Sequence, residues 1–227
     1  MVQVNAQNGY TLVEVLIAMV ILLSLMFTAN YSYSLYSNYW VGRLGTFDRT
    51  VFYYQGLLQI KETIDASIPY IVTDNKQTHT FYFLGRSEGF TLVTTAPVFA
   101  QTVNDAAVIR IFKEKTDTGY QLVYEEAPLR DRLLFTLDQE LDFKYRTVLM
   151  RTEQPIDFEY YGWKLREHKY SRNTFPNETP LWSDSYDAAL TRVQPNRVRM
   201  TIGGQALEYD LPAGHDKMIN FFLRSRD

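Results

Sequence analysis

The chain has 227 residues, a formal net charge of −3 and no cysteine. That length accommodates one membrane span and a domain of about 150 residues, large enough to bury a core without disulfide staples. Lysine and arginine are scattered without a basic excess, which argues against nucleic acid as a partner, and the lack of cysteine removes a thiol nucleophile.

A short polar leader, residues 1–9, ends at Gly9 and is followed by Tyr10-Thr11-Leu12-Val13-Glu14. Residues 15–29 then carry no charge. As a helix, residues 10–30 span about 32 Å, against a hydrocarbon core of about 30 Å, so the stretch is long enough to cross a membrane. Glu14 is therefore an ionisable group inside a membrane segment, a placement that costs about 2.5–3.5 kcal/mol and marks a functional position. A cleaved secretory signal would need small residues before its cut. The nearest candidate, after Ala29, puts Phe27 where a small side chain is required, so the apolar segment is expected to be retained.

Beyond the span, Tyr36, Trp40, Leu44, Phe47, Val51, Tyr54 and Leu58 recur at helical spacing, with a neighbouring stripe of Tyr53, Leu57, Ile60, Ile64 and Ile68. Pro69 forbids continuation. The spacing predicts one long helix, from residue 10 to about residue 67, whose amphipathic second half packs on a domain. Gly42, Gly45 and Gly56 soften it.

After Pro69 the period becomes two. Residues 141–146 and 156–161 alternate apolar and polar side chains, as half-buried strands do. Less regular strands are expected over 80–84, 90–95, 108–113, 120–125 and 217–223. The run 116–119 reads as a hairpin connection, and Gly203-Gly204 as a tight turn between 198–202 and 207–211. A long helix followed by strands without interleaved helices is an α+β order, an antiparallel sheet structure laid against a helix.

The order Gly9-Tyr10-Thr11-Leu12-Val13-Glu14 before an apolar run resembles the cleavage and assembly signal of type IV pilins and type II secretion pseudopilins. The leader differs in carrying no Lys or Arg, and Tyr10 stands where Phe is usual. The resemblance implies a pilin-like fold, cleavage between Gly9 and Tyr10 by a prepilin peptidase, and N-methylation of Tyr10. It also implies that Glu14 receives the terminal amine of a neighbouring subunit during assembly. An opposite charge would offset the desolvation that a lone carboxylate suffers. The implied organisation is a prepilin leader over 1–9, a transmembrane assembly helix over 10–30, its amphipathic continuation over 31–68, and a periplasmic β-rich domain over 69–227.

Residues 90–95, residues 108–124 with Arg110 and Gly119, and Trp182 followed by 194–200 are similar to the J-type minor pseudopilin and related minor type IV pilins. That similarity implies partners of the I and K types, a major pseudopilin or pilin, and an inner-membrane protein with a single pass and a periplasmic C-terminal domain. The competing readings are a minor pilin of a type IV pilus serving adhesion, motility or DNA uptake, and a membrane-anchored periplasmic binding module or hydrolase.

Catalytic patterns are absent from the sequence. His79, His168 and His215 are dispersed, and no Gly-x-Ser-x-Gly turn or His-Glu-x-x-His pattern occurs. Glu178, Asp184 and Asp187 come with Ser, Asn and Pro rather than as alternating calcium ligands, so neither metal nor cofactor is expected. Residues 164–196 form a long connection with no evident element, a length often used for binding. Phe175, Leu181 and Trp182 are its candidate partner-binding side chains, with folding back over the sheet as the alternative.

Overall fold

Helix α1 (Leu12–Asp65) opens the chain in the computed structural model, which describes residues 11–99, 105–171, 174 and 176–212, the side chains of 38–49 excepted. The chain divides into two compact units, Met1–Val51 and Phe52–Asp227. In the first, the stretch Leu12–Ser37 is 26 residues, its most apolar 18 residues have a mean hydropathy of 2.5, and it is long and apolar enough to cross a membrane. Its side chains are exposed from Leu12 to Tyr36. The Ser24 and Thr28 hydroxyls donate to the carbonyls of Val20 (2.9 Å) and Ser24 (2.8 Å), so these polar groups are satisfied within the helix.

The second unit begins with the last turns of α1 and continues as β1 (Ser67–Ile68), β2 (Ile71–Thr73), β3 (His79–Phe81), β4 (Leu84–Arg86), β5 (Gly89–Thr94), β6 (Ala107–Thr116), β7 (Gly119–Pro128), β8 (Tyr145–Thr152) and β9 (Ile156–Gly162). Then follow α2 (Arg166–Tyr170), β10 (Leu181–Ser183), β11 (Tyr186–Asp187), α3 (Ala188–Thr191), β12 (Arg197–Ile202) and β13 (Gln205–Asp210). One sheet has the order β11-β4-β5-β6-β7-β8, with β1 also paired to β5; a second has the order β10-β9-β12-β13, and β2 pairs with β3. All of these strand pairs are antiparallel. The architecture is α+β, a long apolar N-terminal helix followed by an antiparallel β-rich domain.

The main core joins the two larger sheets and the end of α1. It collects Ile60 and Ile64 from the helix, Phe90, Leu92, Ile109, Ile111, Leu122 and Tyr124 from the first sheet, and Phe158, Tyr160, Val198 and Met200 from the second. The helix face that packs here carries Tyr53, Leu57, Ile60 and Ile64. Tyr54 and Leu58, from the other expected stripe, are each 60% exposed. Packing chose between the two stripes through Gly56: a Cβ there would lie 2.2 Å from the Leu149 carbonyl oxygen. Leu149 is the extra residue of a bulge in β8, since Leu122 pairs with Met150 and Val123 with Val148. Gly56 thus permits close approach to a bulged strand rather than softening the helix.

The helix ends at Asp65, and residues 67–68 already pair with Thr94 and Val93. Residues 141–143 are not in a strand; Leu141 and Phe143 pack from irregular chain against a smaller cluster of Val72, Val93, Val108, Ala127, Leu129 and Leu134. The alternation there reported half-burial, which irregular chain also produces. Gly203 and Gly204 do take the positive φ angles of a tight turn, 56° and 87°, between β12 and β13. On the first sheet's other face, Glu125 is clasped by Arg110 Nε (3.0 Å) and Arg146 Nη1 (2.9 Å).

Buried and half-buried tyrosines, Tyr82, Tyr124, Tyr160 and Tyr209, make the fold sensitive to alkali. Burial pushes the Tyr124 and Tyr160 phenols well above their usual range, and it lifts Tyr209, with a contribution from Tyr53, to about 12. An acid whose folded pKa is raised stabilises the fold fully below its unfolded value, about 10, and loses that stabilisation as pH climbs through the folded value. Guanidinium unfolding is expected to show stability free of any tyrosine contribution to its slope up to about pH 9, then a fall above about pH 10 that Tyr209→Phe makes shallower. An unchanged midpoint between pH 9 and 12 overturns this.

Candidate assembly site at the helix start

Thr11 immediately precedes α1, and Glu14 lies in its first turn. The Glu14 carboxylate accepts hydrogen bonds from the Thr11 N–H (2.9 Å) and the Thr11 hydroxyl (3.1 Å), while the Glu14 N–H lies 3.4 Å from the Thr11 Oγ1 and donates to the Thr11 carbonyl (3.0 Å). This is the reciprocal geometry of a capping box, Thr-x-x-Glu, which satisfies donors that the helix start would otherwise leave open. The Glu14 side chain also sits where the helix dipole favours negative charge. The carboxylate is therefore held at a fixed place on the first turn. Beside it, Glu14, Val15, Ala18, Met19 and Leu22 line a shallow apolar groove.

The arrangement offers one thing chemically: an oriented anion on an otherwise apolar helix surface. It suits a cationic group delivered by another apolar chain, because an anion left unpaired in hydrocarbon is costly. Gly9 and Tyr10 lie outside the described residues. Thr11 is the contributor that pattern reading passed over, although its signal, a threonine three residues before a glutamate at the head of an apolar run, was present.

The other candidate residues stand apart. Phe175 lies outside the described residues. The connection that holds it contains α2, β10, β11 and α3, elements too short to show a period. Trp182 pairs with Tyr161 across β10 and β9, the two rings 5.2 Å apart, and the Arg199 guanidinium lies 3.6 Å from the indole centroid. Arg199 is itself held by Glu208 (2.8 Å) and Glu159 (3.0 Å), so the indole is packed under a pinned cation on the second sheet. Leu181 is 49% exposed.

Residues 4–29 match the family described as the prokaryotic N-terminal methylation motif. The chain carries a prepilin-type methylation motif. This match covers residues 4–9 of the leader, Thr11, Glu14 and most of the apolar stretch, and it supports the type IV pilin and pseudopilin superfamily. A prepilin-type motif implies processing by prepilin peptidase and assembly with other pilin subunits, and it points to a structural subunit rather than an enzyme. The apolar helix that bears it is compatible with membrane anchoring. No curated protein matches the chain.

Proposed function

We propose that this protein is a J-like minor pseudopilin, which assembles with I- and K-like minor subunits at the tip of the periplasmic pseudopilus of a type II secretion system and helps to initiate assembly and protein export. The prepilin peptidase cuts after Gly9 and Tyr10 becomes the methylated terminus. Residues 10–30 hold the protein in the inner membrane and residues 69–227 form the periplasmic domain. Glu14 then receives the amine of a neighbouring subunit as the helix leaves the bilayer. The single observation that carries this reading is the methylation motif over residues 4–29, with Glu14 fixed on the first turn by Thr11.

Two further features support it. Tyr54 and Leu58 form an apolar stripe on the solvent side of α1, one helical turn apart, which fits lateral contact with another helix. The head, whose sheets alone reach from Ser67 to Asp210, is bulky for a subunit repeated along a tight filament and suits a tip position. The similarity of residues 90–95, 108–124, 182 and 194–200 to J-type minor pseudopilins and related minor type IV pilins supports a minor subunit.

The test is an intact-mass measurement on protein from membranes in which the matching prepilin peptidase is co-expressed, together with I- and K-like partners. The expected product lacks residues 1–9, carries one methyl group on Tyr10 and co-purifies with those partners. Gly9→Val should leave the precursor uncut. Only precursor in the wild type overturns the processing. Correct processing with entry into type IV pili instead of the secretion complex overturns the J-like assignment.

A further inference from the structure

No charged residue lies between Glu14 and Arg43. As a helix the 28 residues between them span about 42 Å, against a hydrocarbon core of about 30 Å. Neither charge therefore fixes how deep α1 sits in a bilayer, and the helix can slide by about two turns unless other side chains hold it. The polar content changes at one place. Residues 15–29 contain only Ser24 and Thr28 as polar side chains, both satisfied within the helix, whereas residues 30–37 read Asn-Tyr-Ser-Tyr-Ser-Leu-Tyr-Ser.

Within that second stretch, Tyr31, Tyr33 and Tyr36 are 60–73% exposed. At about 100° per residue they stand at about 0°, 200° and 140° around the axis, so they surround the helix. A stripe made for one partner helix lies on one face, as Tyr54 and Leu58 do. Side chains set on all sides of a helix suit a medium that reaches it from all sides. Tyrosine carries an apolar ring and a polar tip, and it concentrates where hydrocarbon gives way to headgroups. We propose that Tyr31, Tyr33 and Tyr36 form an aromatic belt that binds the phospholipid headgroup boundary and sets the depth of α1. The proposal rests on the reading of α1 as a membrane anchor. Glu14 lies 17 residues from Tyr31, about 25 Å along the helix, so a belt held at one boundary keeps Glu14 just inside the other. If the belt sank by about two turns, Glu14 would emerge on the far side and leave the apolar layer in which its charge seeks a partner.

The natural chain has no cysteine, so single introduced thiols report depth. The full chain is reconstituted in vesicles of phosphatidylethanolamine and phosphatidylglycerol and treated with a membrane-impermeant maleimide. Ser34→Cys, at the belt, is expected to react about tenfold or more faster than Phe27→Cys, within the apolar run. Replacing all three tyrosines by leucine extends the apolar run and lets the belt sink, so Ser34→Cys labelling should fall about fivefold or more. Replacing them by tryptophan, which favours the same boundary, should keep labelling within about twofold of the tyrosine parent. Equal labelling of Ser34→Cys with tyrosine or leucine overturns the belt while leaving the anchor standing, and so does a tryptophan variant that behaves like the leucine one. Equal labelling of Phe27→Cys and Ser34→Cys in the tyrosine parent overturns the anchor itself, and the belt with it.

Discussion

Glu14→Ala is expected to lower incorporation of the subunit into its assembly by about 30-fold or more, while membrane insertion and folding of the head remain intact. Truncating one member of a buried charge pair typically costs about 2–5 kcal/mol, and each 1.4 kcal/mol is a factor of ten. Insertion should not suffer, because removing a carboxylate from hydrocarbon relieves a penalty of about 2.5–3.5 kcal/mol. Glu14→Gln separates the two jobs of the side chain. Glutamine retains an oxygen that can accept the Thr11 N–H and hydroxyl hydrogen bonds seen at 2.9 and 3.1 Å, so it keeps the helix start but loses the charge. If assembly depends on pairing with an amine, the glutamine variant should fail as badly as alanine. If glutamine assembles like wild type by quantitative co-purification with its partners, the carboxylate acts only as a cap. Replacing Tyr54 and Leu58 by serine supplies the control for the helix face. Both side chains are 60% exposed, so the variant should melt like wild type and lose co-assembly only if the stripe is a contact.

Tyr160→Ala should be among the most damaging changes to the head, lowering its stability by about 3–5 kcal/mol. The ring is fully buried, packs edge-on against Phe83 at 5.7 Å, and rests where a Cβ on Gly85 would come within 2.5 Å of it. Its hydroxyl lies 2.8 Å from the Arg86 carbonyl and 2.7 Å from that of Gly89, and its single proton is offered to that pair at the turn between β4 and β5. Alanine would open a cavity between the two sheets and remove the hydroxyl donor from the buried Gly89 carbonyl and the part-buried Arg86 carbonyl. Tyr160→Phe removes only the hydroxyl and should cost about 1–3 kcal/mol. In a domain of this size, 1 kcal/mol moves Tm by about 2–4 °C, so thermal unfolding separates the variants. A Tyr160→Ala protein melting within about 2 °C of wild type, less than 1 kcal/mol would produce, would show that the ring does not bridge the sheets.

Some of this protein is dictated by local sequence. The methylation motif, the carboxylate at Glu14, the uncharged run and the glycine pair at 203–204 each rest on neighbours within a few residues, where chemistry and position in the chain coincide. The strands β9, β12 and β13 were legible for the same reason, since alternation reflects one buried face along a continuous strand, whereas β5, β6 and β7 showed only as less regular apolar runs. What local pattern could not decide is which of two apolar stripes on α1 meets the domain. That choice belongs to Gly56 and the bulged Leu149 carbonyl, more than 90 residues apart in the chain, and both stripes satisfy the helical period equally. The place of Trp182 was likewise hidden, because its partners Tyr161 and Arg199 reach it only across paired strands. Periodicity reports that a side chain is covered; only the folded chain reports what covers it.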